Sequence, residues 1–231
     1  MRYSVIIPVY NRPDEVDELL KSLTTQHFTD FEVIVVEDGS SVSCKEIVDR
    51  YTDKLDIKYF LKSNSGPGQS RNYGAERSEG EYLIILDSDV ILPEGYFDAV
   101  EKELAASPAD AFGGPDRAHD SFTDIQKAIN YSMTSFFMTG GIRGGKKKMD
   151  KFYPRSFNMG VRRAVYEALG GFSKMRFGED IDFSIRIFKG GYICRLFPDA
   201  WVYHKRRTDL KKFFKQVHNS GIVRINLYKK Y

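Results

Sequence analysis

Four short apolar runs separated by helix-like segments constrain the fold of this chain more than any other feature. The runs cover residues 3–9, 31–36, 57–61 and 82–86. Apolar residues at consecutive positions are typical of strands that are buried on both faces of a sheet. Strands that alternate with helices along the chain predict an α/β fold, with a mostly parallel sheet flanked by helices.

The segments between and after these runs predict the helices. Asn11 is placed to cap the first helix, and Pro13 suits its first turn. Apolar spacings predict four helices, whose apolar stripes are Val16, Leu19, Leu20 and Leu23; Ile125, Ile129, Met133 and Phe136; Ile181, Ile185 and Phe188; and Leu210, Phe213, Phe214 and Val217. A strand from Trp201 to His204 is predicted before the last of these helices. The second half is otherwise less regular. Its segment from Thr139 to Lys151 has four glycines and five basic residues, which predicts a mobile loop that closes over a ligand.

Composition and charge limit the class of protein. A chain of 231 residues with 42% hydrophobic residues is sufficient for one sizeable core. The net charge is +3, but nine of the 35 basic and one of the 32 acidic residues follow position 204, so the last 27 residues carry +8. The acidic remainder argues against a general nucleic-acid binder. The basic end is either a solvated helix face or a contact with anionic lipid, and both interpretations stay open.

The cysteines and the apolar runs predict the compartment. Cys44 and Cys194 are far apart and lack the spacing of a metal or redox site, which suits a reducing cytosol. The first apolar run is too short for the core of a signal peptide, and no stretch approaches the roughly 20 apolar residues that cross a bilayer. We therefore expect a cytoplasmic protein that is peripheral to the inner face of a membrane if its basic end binds lipid.

Acidic residues follow the second and fourth apolar runs. Ligands of a parallel α/β sheet bind beyond the carboxyl ends of its strands, so these acids stand where a ligand is expected. Asp87 and Asp89 stand two positions apart after residues 82–86. If the chain stays extended there, both carboxylates point the same way and suit Mg²⁺ or Mn²⁺ together with substrate phosphates. A loop pair that caps backbone N–H groups is the alternative, and the presence of further acids favours the metal.

Other candidate residues allow both a structural and a functional interpretation. Asp38 either forms an Asx-turn or binds a nucleobase or ribose. Glu37 either binds the nucleobase or ribose or points into the sheet. Arg71 follows a glycine-rich turn at the start of a helix, which is a natural diphosphate site. Three further candidates favour structural roles when each is considered alone. Asp180 would cap a helix, Asp182 would pair with Arg186 on the surface, and His204 would lie at a strand edge.

Taken together and in order, these segments resemble family 2 glycosyltransferases. The similar segments are Ser4 to Arg12 (SVIIPVYNR), Val35 to Ser40 (VVEDGS), Gly68 to Gly74 (GQSRNYG), Leu86 to Asp89 (LDSD), Gly170 to Phe172 (GGF) and Gly178 to Asp182 (GEDID). The likeness reaches to about His204. It implies a GT-A (Rossmann-like) domain over residues 1–204, with a donor half to residue 114 and a less regular acceptor half from 115, followed by a basic amphipathic helix over 205–231.

The resemblance also implies the reaction and its residues. It implies an inverting transfer of a sugar from a nucleotide diphosphate donor, commonly a uridine one, to a hydroxyl of a glycan or glycolipid in cell-surface polysaccharide or glycolipid synthesis. The implied nucleotide-sugar residues are Pro8, Tyr10, Asn11, Glu37, Asp38, Arg71 and Ser88; the ligands of Mn²⁺ or Mg²⁺ are Asp87, Asp89 and His204; the catalytic base is Asp180; and Glu179 and Asp182 lie near the acceptor or behind the base.

Departures from the family pattern leave alternatives. Glu37 stands where relatives often have aspartate, and the Gln-x-x-Arg-Trp motif of processive synthases is missing after Gln216, so we expect one sugar per encounter. Many relatives continue beyond this length, so the chain is expected to be part of a longer protein. A nucleotidyltransferase and a degenerate protein that only binds nucleotide sugars are the alternatives. The first usually has a glycine-rich loop after its first strand, where this chain has Val9 to Pro13.

Overall fold

A computed structural model describes residues 1–135, 152–175 and 177–231. Its strands are β1 (Tyr3–Val9), β2 (Phe31–Asp38), β3 (Ile57–Lys62), β4 (Tyr82–Leu86), β5 (Val90–Ile91), β6 (Ala111–Gly113), β7 (Asp116–Arg117), β8 (Asn158–Arg162), β9 (Cys194–Leu196) and β10 (Val202–His204). Its helices are α1 (Pro13–Thr24), α2 (Lys45–Asp49), α3 (Pro67–Ala75), α4 (Tyr96–Ala106), α5 (Asp124–Thr134), α6 (Arg163–Ala168), α7 (Glu179–Lys189) and α8 (Leu210–Lys230).

Seven strands form the central sheet in the order β3-β2-β1-β4-β8-β6-β9. The four strands that the apolar runs predict pair in parallel, and β6 and β9 run in the same direction. Only β8 is antiparallel to its neighbours β4 and β6 within this sheet. The predicted mostly parallel α/β sheet is therefore confirmed, and its carboxyl-terminal edge collects the ends of β1, β2 and β4.

Helices cover both faces of this sheet, and each face has its own apolar core. One core packs α1, α2 and α4 on the sheet through residues such as Leu19 and Phe97. The other packs α3, α6 and α7 through residues such as Phe183 and Ile187. Every residue of β2 is buried, because side chains from both of its faces enter these cores. The strand continues through Glu37 and Asp38 instead of ending before them, because both residues still pair with β3.

A second sheet of three short strands, in the order β5-β10-β7, lies at the carboxyl-terminal edge. It contains the predicted strand near His204, which begins at Val202, one residue later than expected. Its β10 is antiparallel to β5 and parallel to β7. Because β5 follows the Asp87–Asp89 turn directly, this pairing brings His204 beside that turn.

The cap predicted for α1 is wrong. The N-cap position is Arg12, and no side chain among the described residues caps the helix. Asn11 adopts a left-handed backbone conformation with φ of 52°, and its Oδ1 accepts hydrogen bonds from the N–H groups of Ser41 and Val42 at 2.8 and 3.0 Å. Asn11 therefore orders the loop after β2, while Pro13 occupies the first turn of α1 as expected.

The stripe predicted to be buried on α7 is also wrong. Ile181, Ile185 and Phe188 are only partly buried, whereas Phe183 and Ile187 are fully buried against the sheet. The helix is rotated because it also buries the acidic residues of its first turn, Glu179, Asp180 and Asp182. These carboxylates lie near the positive end of the helix dipole, where they are stabilised.

The helix α8 exists as expected, but its predicted apolar face does not pack on the domain. Leu210, Phe214 and Val217 are 67%, 73% and 51% exposed, and the buried apolar residues are Val223 and Leu227. Within the described residues no helix is both long enough and apolar enough to cross a membrane. The predicted loop from Thr139 to Lys151 and the helical position Phe136 lie outside the described residues.

Candidate functional site

The turn between β4 and β5 carries the acidic pair. Residues 87–89 form this turn and are not extended. The turn nevertheless brings Asp87 and Asp89 close to His204: one ligand atom from each side chain lies within 4.8 Å of the others. The structure thus groups the three residues that the sequence assigned to a metal, although they come from two separate segments of the chain.

The chemistry of this cluster fits a divalent cation. Asp89 Oδ1 is buried without a hydrogen-bond partner among the described residues, although His204 Nε2 lies 3.3 Å away. A buried carboxylate oxygen without a donor is costly unless something charged binds it. Carboxylates suit Mn²⁺ and Mg²⁺, and an imidazole ligand is commoner with transition metals. Asp87, Asp89 and His204 are therefore the residues that could hold such an ion.

Neighbouring side chains fix the orientation of this cluster. The Arg12 guanidinium forms an ion pair with Asp89 Oδ2, and Asp116 Oδ2 lies 3.6 Å from His204 Nδ1. Arg206 pairs with Asp116 from behind. Burial by itself would raise the pKa of Asp89, but His204 and Arg12 hold it well below its usual range. Asp89 is consequently ionised at neutral pH, as a metal ligand must be.

Arg71 connects the acidic turn to the start of α7. Its side chain is 3% exposed and donates to Asp87 Oδ1 and to Glu179 Oε1, both at 2.7 Å. Burial lowers the pKa of Arg71, but the charges of Asp87 and Glu179 outweigh this effect and raise it. Burial also raises the pKa of Glu179, against the opposing effect of Arg71. A guanidinium that is held here can bind an oxyanion next to the acidic turn.

Asp180 lies in the first turn of α7, almost completely buried at 7% exposure. Its Oδ2 accepts from Arg155 Nε at 2.6 Å, and its Oδ1 accepts from the N–H of Ile181 at 2.9 Å. Burial would raise the pKa of Asp180, but Arg155 lowers it, so the group is a carboxylate at neutral pH. Gly178 is the N-cap residue of this helix, and its φ of +81° is a conformation that favours glycine.

Asp38 lies at the end of β2 on the same edge of the sheet. Its carboxylate accepts from Lys62 Nζ at 2.6 Å and from the N–H groups of Ser65 and Gly66 at 2.9 and 2.8 Å. It lines a cavity of about 1120 Å³, here called the Asp38 cavity, together with Pro8 and Tyr10. The carboxylate thus shapes the turn before α3 and still lies at the wall of an open cavity.

Two further cavities continue from the Asp38 cavity along this edge. The Asp89 cavity, of about 380 Å³, is lined by Arg71, Asp87, Ser88, Asp89, Glu179 and His204 and shares Pro8, Tyr10 and Pro67 with the Asp38 cavity. The Arg155 cavity, of about 580 Å³, lies against α8 and shares Arg207 and Gln216 with the Asp89 cavity. Asp180 itself lines neither of the last two, although its neighbour Glu179 lines the Asp89 cavity and Gly178 and Ile181 line the Arg155 cavity.

Three other predicted site residues also do not line these cavities. Glu37 is fully buried on the opposite face of β2 from Asp38, where it accepts from Ser43 Oγ at 2.8 Å and from the N–H of Cys44 at 3.1 Å. Asn11 holds the loop after β2, as described above. Asp182 is fully buried and accepts from Arg186 Nε at 2.9 Å. Its pairing with Arg186 is confirmed, but its predicted surface position is wrong.

Four residues of this site could not be assigned a role from the sequence. Arg155, Asp116 and Phe157, whose ring stacks on His204 at 4.8 Å between centroids, come from segments without a regular spacing. Arg12 stands inside the first family-like segment, Ser4 to Arg12, and this position could have marked it as a candidate site residue. Its contact with Asp89 spans 77 positions, and such a contact is visible only in the folded chain.

Solved glycosyltransferases share this fold. The crystal structure of Staphylococcus aureus TarS 1-349 in complex with UDP-GlcNAc matches with a TM-score of 0.72 and 25% identity, over 90% of this chain and 60% of that chain. The mannosyltransferase PcManGT from Pyrobaculum calidifontis, solved in complex with GDP-Man and Mn²⁺, has a TM-score of 0.72 and 21% identity, over 90% of this chain and 58% of that chain. The second likeness concerns the fold alone. The predicted GT-A fold is confirmed.

Sequence comparison leads to the same class of protein. Poly(ribitol-phosphate) beta-N-acetylglucosaminyltransferase TarS of Staphylococcus aureus (strain Mu50) is 45% identical over 93 residues, which are 38% of this chain and 16% of that protein. This chain therefore matches only a part of that relative's length. The model of glycosyl transferase family 2 matches residues 4–170. Since that range contains the ends of β1, β2 and β4 and most of the chain, the protein belongs to glycosyl transferase family 2.

Proposed function

We propose that this chain transfers one sugar from a nucleoside diphosphate sugar, with uridine as the nucleoside, to a hydroxyl of a glycan or glycolipid, with inversion at the anomeric carbon. The observation that carries this proposal is the series of adjoining cavities from Asp38, past Asp89, to the start of the helix that carries Asp180. Such a series can hold a nucleoside, a diphosphate and an acceptor in that order. The solved relative TarS binds UDP-GlcNAc, which supports a uridine donor.

The residues take the following roles in this proposal. Asp38, Pro8 and Tyr10 hold the nucleoside in the Asp38 cavity, and Arg71 and Ser88 contact the diphosphate in the next cavity. Asp87, Asp89 and His204 would hold Mn²⁺ or Mg²⁺; when bound, the cation neutralises charge on the leaving diphosphate. Residues 1–114 form the donor half and residues 115–204 the acceptor half of the domain.

Asp180 acts as the general base. The acceptor oxygen attacks the anomeric carbon from the face opposite the diphosphate, and its proton passes to the Asp180 carboxylate. The bond from the anomeric carbon to the diphosphate oxygen breaks, and its electron pair leaves with the nucleoside diphosphate. Glu179 keeps Arg71 oriented, and Asp182 fixes the helix that carries the base.

We also propose that α8 attaches the protein to an anionic membrane surface on its cytoplasmic side. The exposed residues Leu210, Phe214, Ile225 and Tyr228 are spaced by four, eleven and three residues, and at about 100° per residue these spacings place them on one stripe of the helix. Exposed Lys211, Lys215 and Lys229 lie beside this stripe. An apolar stripe bordered by lysines is typical of helices that lie in a membrane interface. Both cysteines are free and buried, as a reducing compartment allows.

Calorimetric titration tests the donor site. UDP, GDP, dTDP and ADP are titrated with and without Mn²⁺ into the wild type, into Asp89→Ala and into the control Asp98→Ala, an exposed acid on α4. We expect UDP to bind with Mn²⁺ and Asp89→Ala to weaken this binding at least about tenfold, because a metal ligand is lost. Absence of nucleotide binding under all conditions would refute the proposal. Binding without release of UDP from any UDP-sugar and acceptor would indicate a protein that only binds nucleotide sugars.

A further inference from the structure

The Arg155 cavity lies against the start of α7, the helix that carries the proposed base Asp180. Its wall includes Arg155, which bonds Asp180 at 2.6 Å, and Gly178 and Ile181, which flank the two acids at the start of α7. It adjoins the Asp89 cavity, because Arg207 and Gln216 line both. A molecule in this cavity is therefore next to Arg155, the ion-pair partner of the proposed base, and next to the space proposed for the donor sugar.

The charge of this cavity is positive and largely uncompensated. Its lining contains five cationic side chains and no carboxylate: Arg155, Arg207, Lys212, Lys215 and Arg224. Arg155 pairs with Asp180 and Lys212 with Asp209. In the part of the chain that the structure describes, Arg207, Lys215 and Arg224 form no ion pair. Like charges that converge on one cavity without counter-ions favour an anionic ligand.

The rest of the lining is apolar and restricts the shape of that ligand. Ile181, Phe213, Val217 and Val223 contribute apolar side chains to the same cavity. A cavity with cationic groups on one part and apolar groups on another suits a molecule that has a charged group joined to an uncharged body. Cationic side chains alone would be enough to attract any anion, so the apolar part of the lining indicates a ligand that also has an uncharged body.

We propose that the Arg155 cavity binds an acceptor that carries a phosphate ester or diphosphate group, with the accepting hydroxyl directed to Asp180. Arg207, Lys215 and Arg224 contact the phosphate, since guanidinium and ammonium groups bind its oxygens through charge-assisted hydrogen bonds. The inference rests on the proposed function, because it assigns the acceptor class of the same site. A soluble phosphodiester polymer and a lipid-linked diphosphate share this chemistry.

The test keeps the donor site occupied by UDP and Mn²⁺, so that a phosphate probe cannot bind there. Binding of UDP is measured first, and its failure would count against the proposed function and not against the acceptor class. Three probes are then titrated: an oligomer of glycerol phosphate, geranyl diphosphate as a short lipid-linked diphosphate, and uncharged glycerol oligomer. The variants are Lys215→Gln with Arg224→Gln, and the control Lys21→Gln with Lys102→Gln, which removes two exposed lysines of α1 and α4.

We expect at least one phosphate probe to bind and the uncharged oligomer not to bind. The cavity variant should weaken this binding at least about tenfold, because hydrogen bonds between charged groups are lost, while UDP binding stays within about twofold of the wild type. The control should bind both as the wild type does. Preference for one phosphate probe identifies the source as polymer or lipid. Equal binding of the uncharged oligomer, no binding of either phosphate probe, or an equal loss in the control variant would overturn the inference.

Discussion

Asp180 is the residue on which the proposed chemistry depends most directly. Replacing it with asparagine preserves its size but removes the group that accepts the hydroxyl proton. We therefore expect Asp180→Asn to lower kcat by about 10²- to 10⁴-fold without weakening UDP binding in the presence of Mn²⁺. Initial rates of UDP release and calorimetry measure the two effects. Asp98→Asn on α4 should change neither, and a kcat near that of the wild type in Asp180→Asn would exclude Asp180 as the base.

For single residues, the sequence predicts those that are proposed to contact a ligand directly, and it misses those that orient another side chain. Asp87 and Asp89 are recognisable because they stand in a family-like segment after a buried strand, and His204 is recognisable through the family resemblance. Arg155 and Asp116 are not, because each is defined by one partner far away in the chain: Asp180, 25 positions on, and Arg206, 90 positions on. No local spacing encodes such contacts.

The helices α7 and α8 are joined by one fully buried carboxylate. Asp182 of α7 accepts from Tyr231 Oη at 2.8 Å and also pairs with Lys230. Val223 of α8 packs so closely on Gly178 that a Cβ there would lie 2.2 Å from Val223 Cγ1. The end of the chain thus holds the helix that carries the proposed base. We infer that Asp182 positions this helix.

The pKa of Asp182 makes this link measurable. Burial would raise that pKa, but bonds from Lys230, Tyr231 and Arg186 lower it from 3.8 to about 2. A carboxyl with a lower pKa in the folded than in the unfolded chain stabilises the fold above the unfolded value, and this contribution is lost as the pH falls toward the folded value. The stability of the wild type relative to Asp182→Asn should therefore fall by about 2 kcal/mol as the pH is lowered from 6 to 2, and most of this loss should occur between about pH 4 and pH 2.

Urea unfolding of both proteins across this pH range measures the difference in the free energy of unfolding. Asp53→Asn, at an exposed position, serves as the control and should stay within about 0.5 kcal/mol of the wild type. A difference between wild type and Asp182→Asn that does not change with pH would show that the ionised carboxylate does not stabilise the contact of α7 with α8.

Elements with long apolar signals are predictable, and short ones are not. The bounds of β1 and β4 agree with their apolar runs because each strand is buried on both faces and needs apolar residues throughout. The strands β5 and β7 have two residues each, so no period can be recognised in them. The rotation of α7 was missed for a different reason: its buried face includes ion-paired acids, which an apolar stripe does not indicate.

Over the whole molecule, positive charge is concentrated at the C-terminal end of the chain. The last 27 residues carry +8 while the chain carries +3, and α8 uses different sides of its surface for different contacts. One side buries Val223 and Leu227 on the domain. The opposite side exposes the apolar stripe, and cations between the two line the Arg155 cavity. A membrane attached to the stripe would consequently hold the proposed acceptor cavity near the lipid surface, where a lipid-linked acceptor would be located.

Vesicle sedimentation tests this orientation. At low salt we expect the protein to bind vesicles of phosphatidylglycerol and phosphatidylcholine but not phosphatidylcholine alone, since basic residues add attraction to anionic lipid. Phe214→Ser with Ile225→Ser should weaken this binding at least about tenfold, because each loses buried apolar area in the interface. Tyr131→Ser, which removes a side chain 76% exposed on α5, should have no effect. Equal binding to neutral vesicles, or an equal loss with Tyr131→Ser, would mean that α8 does not direct the attachment.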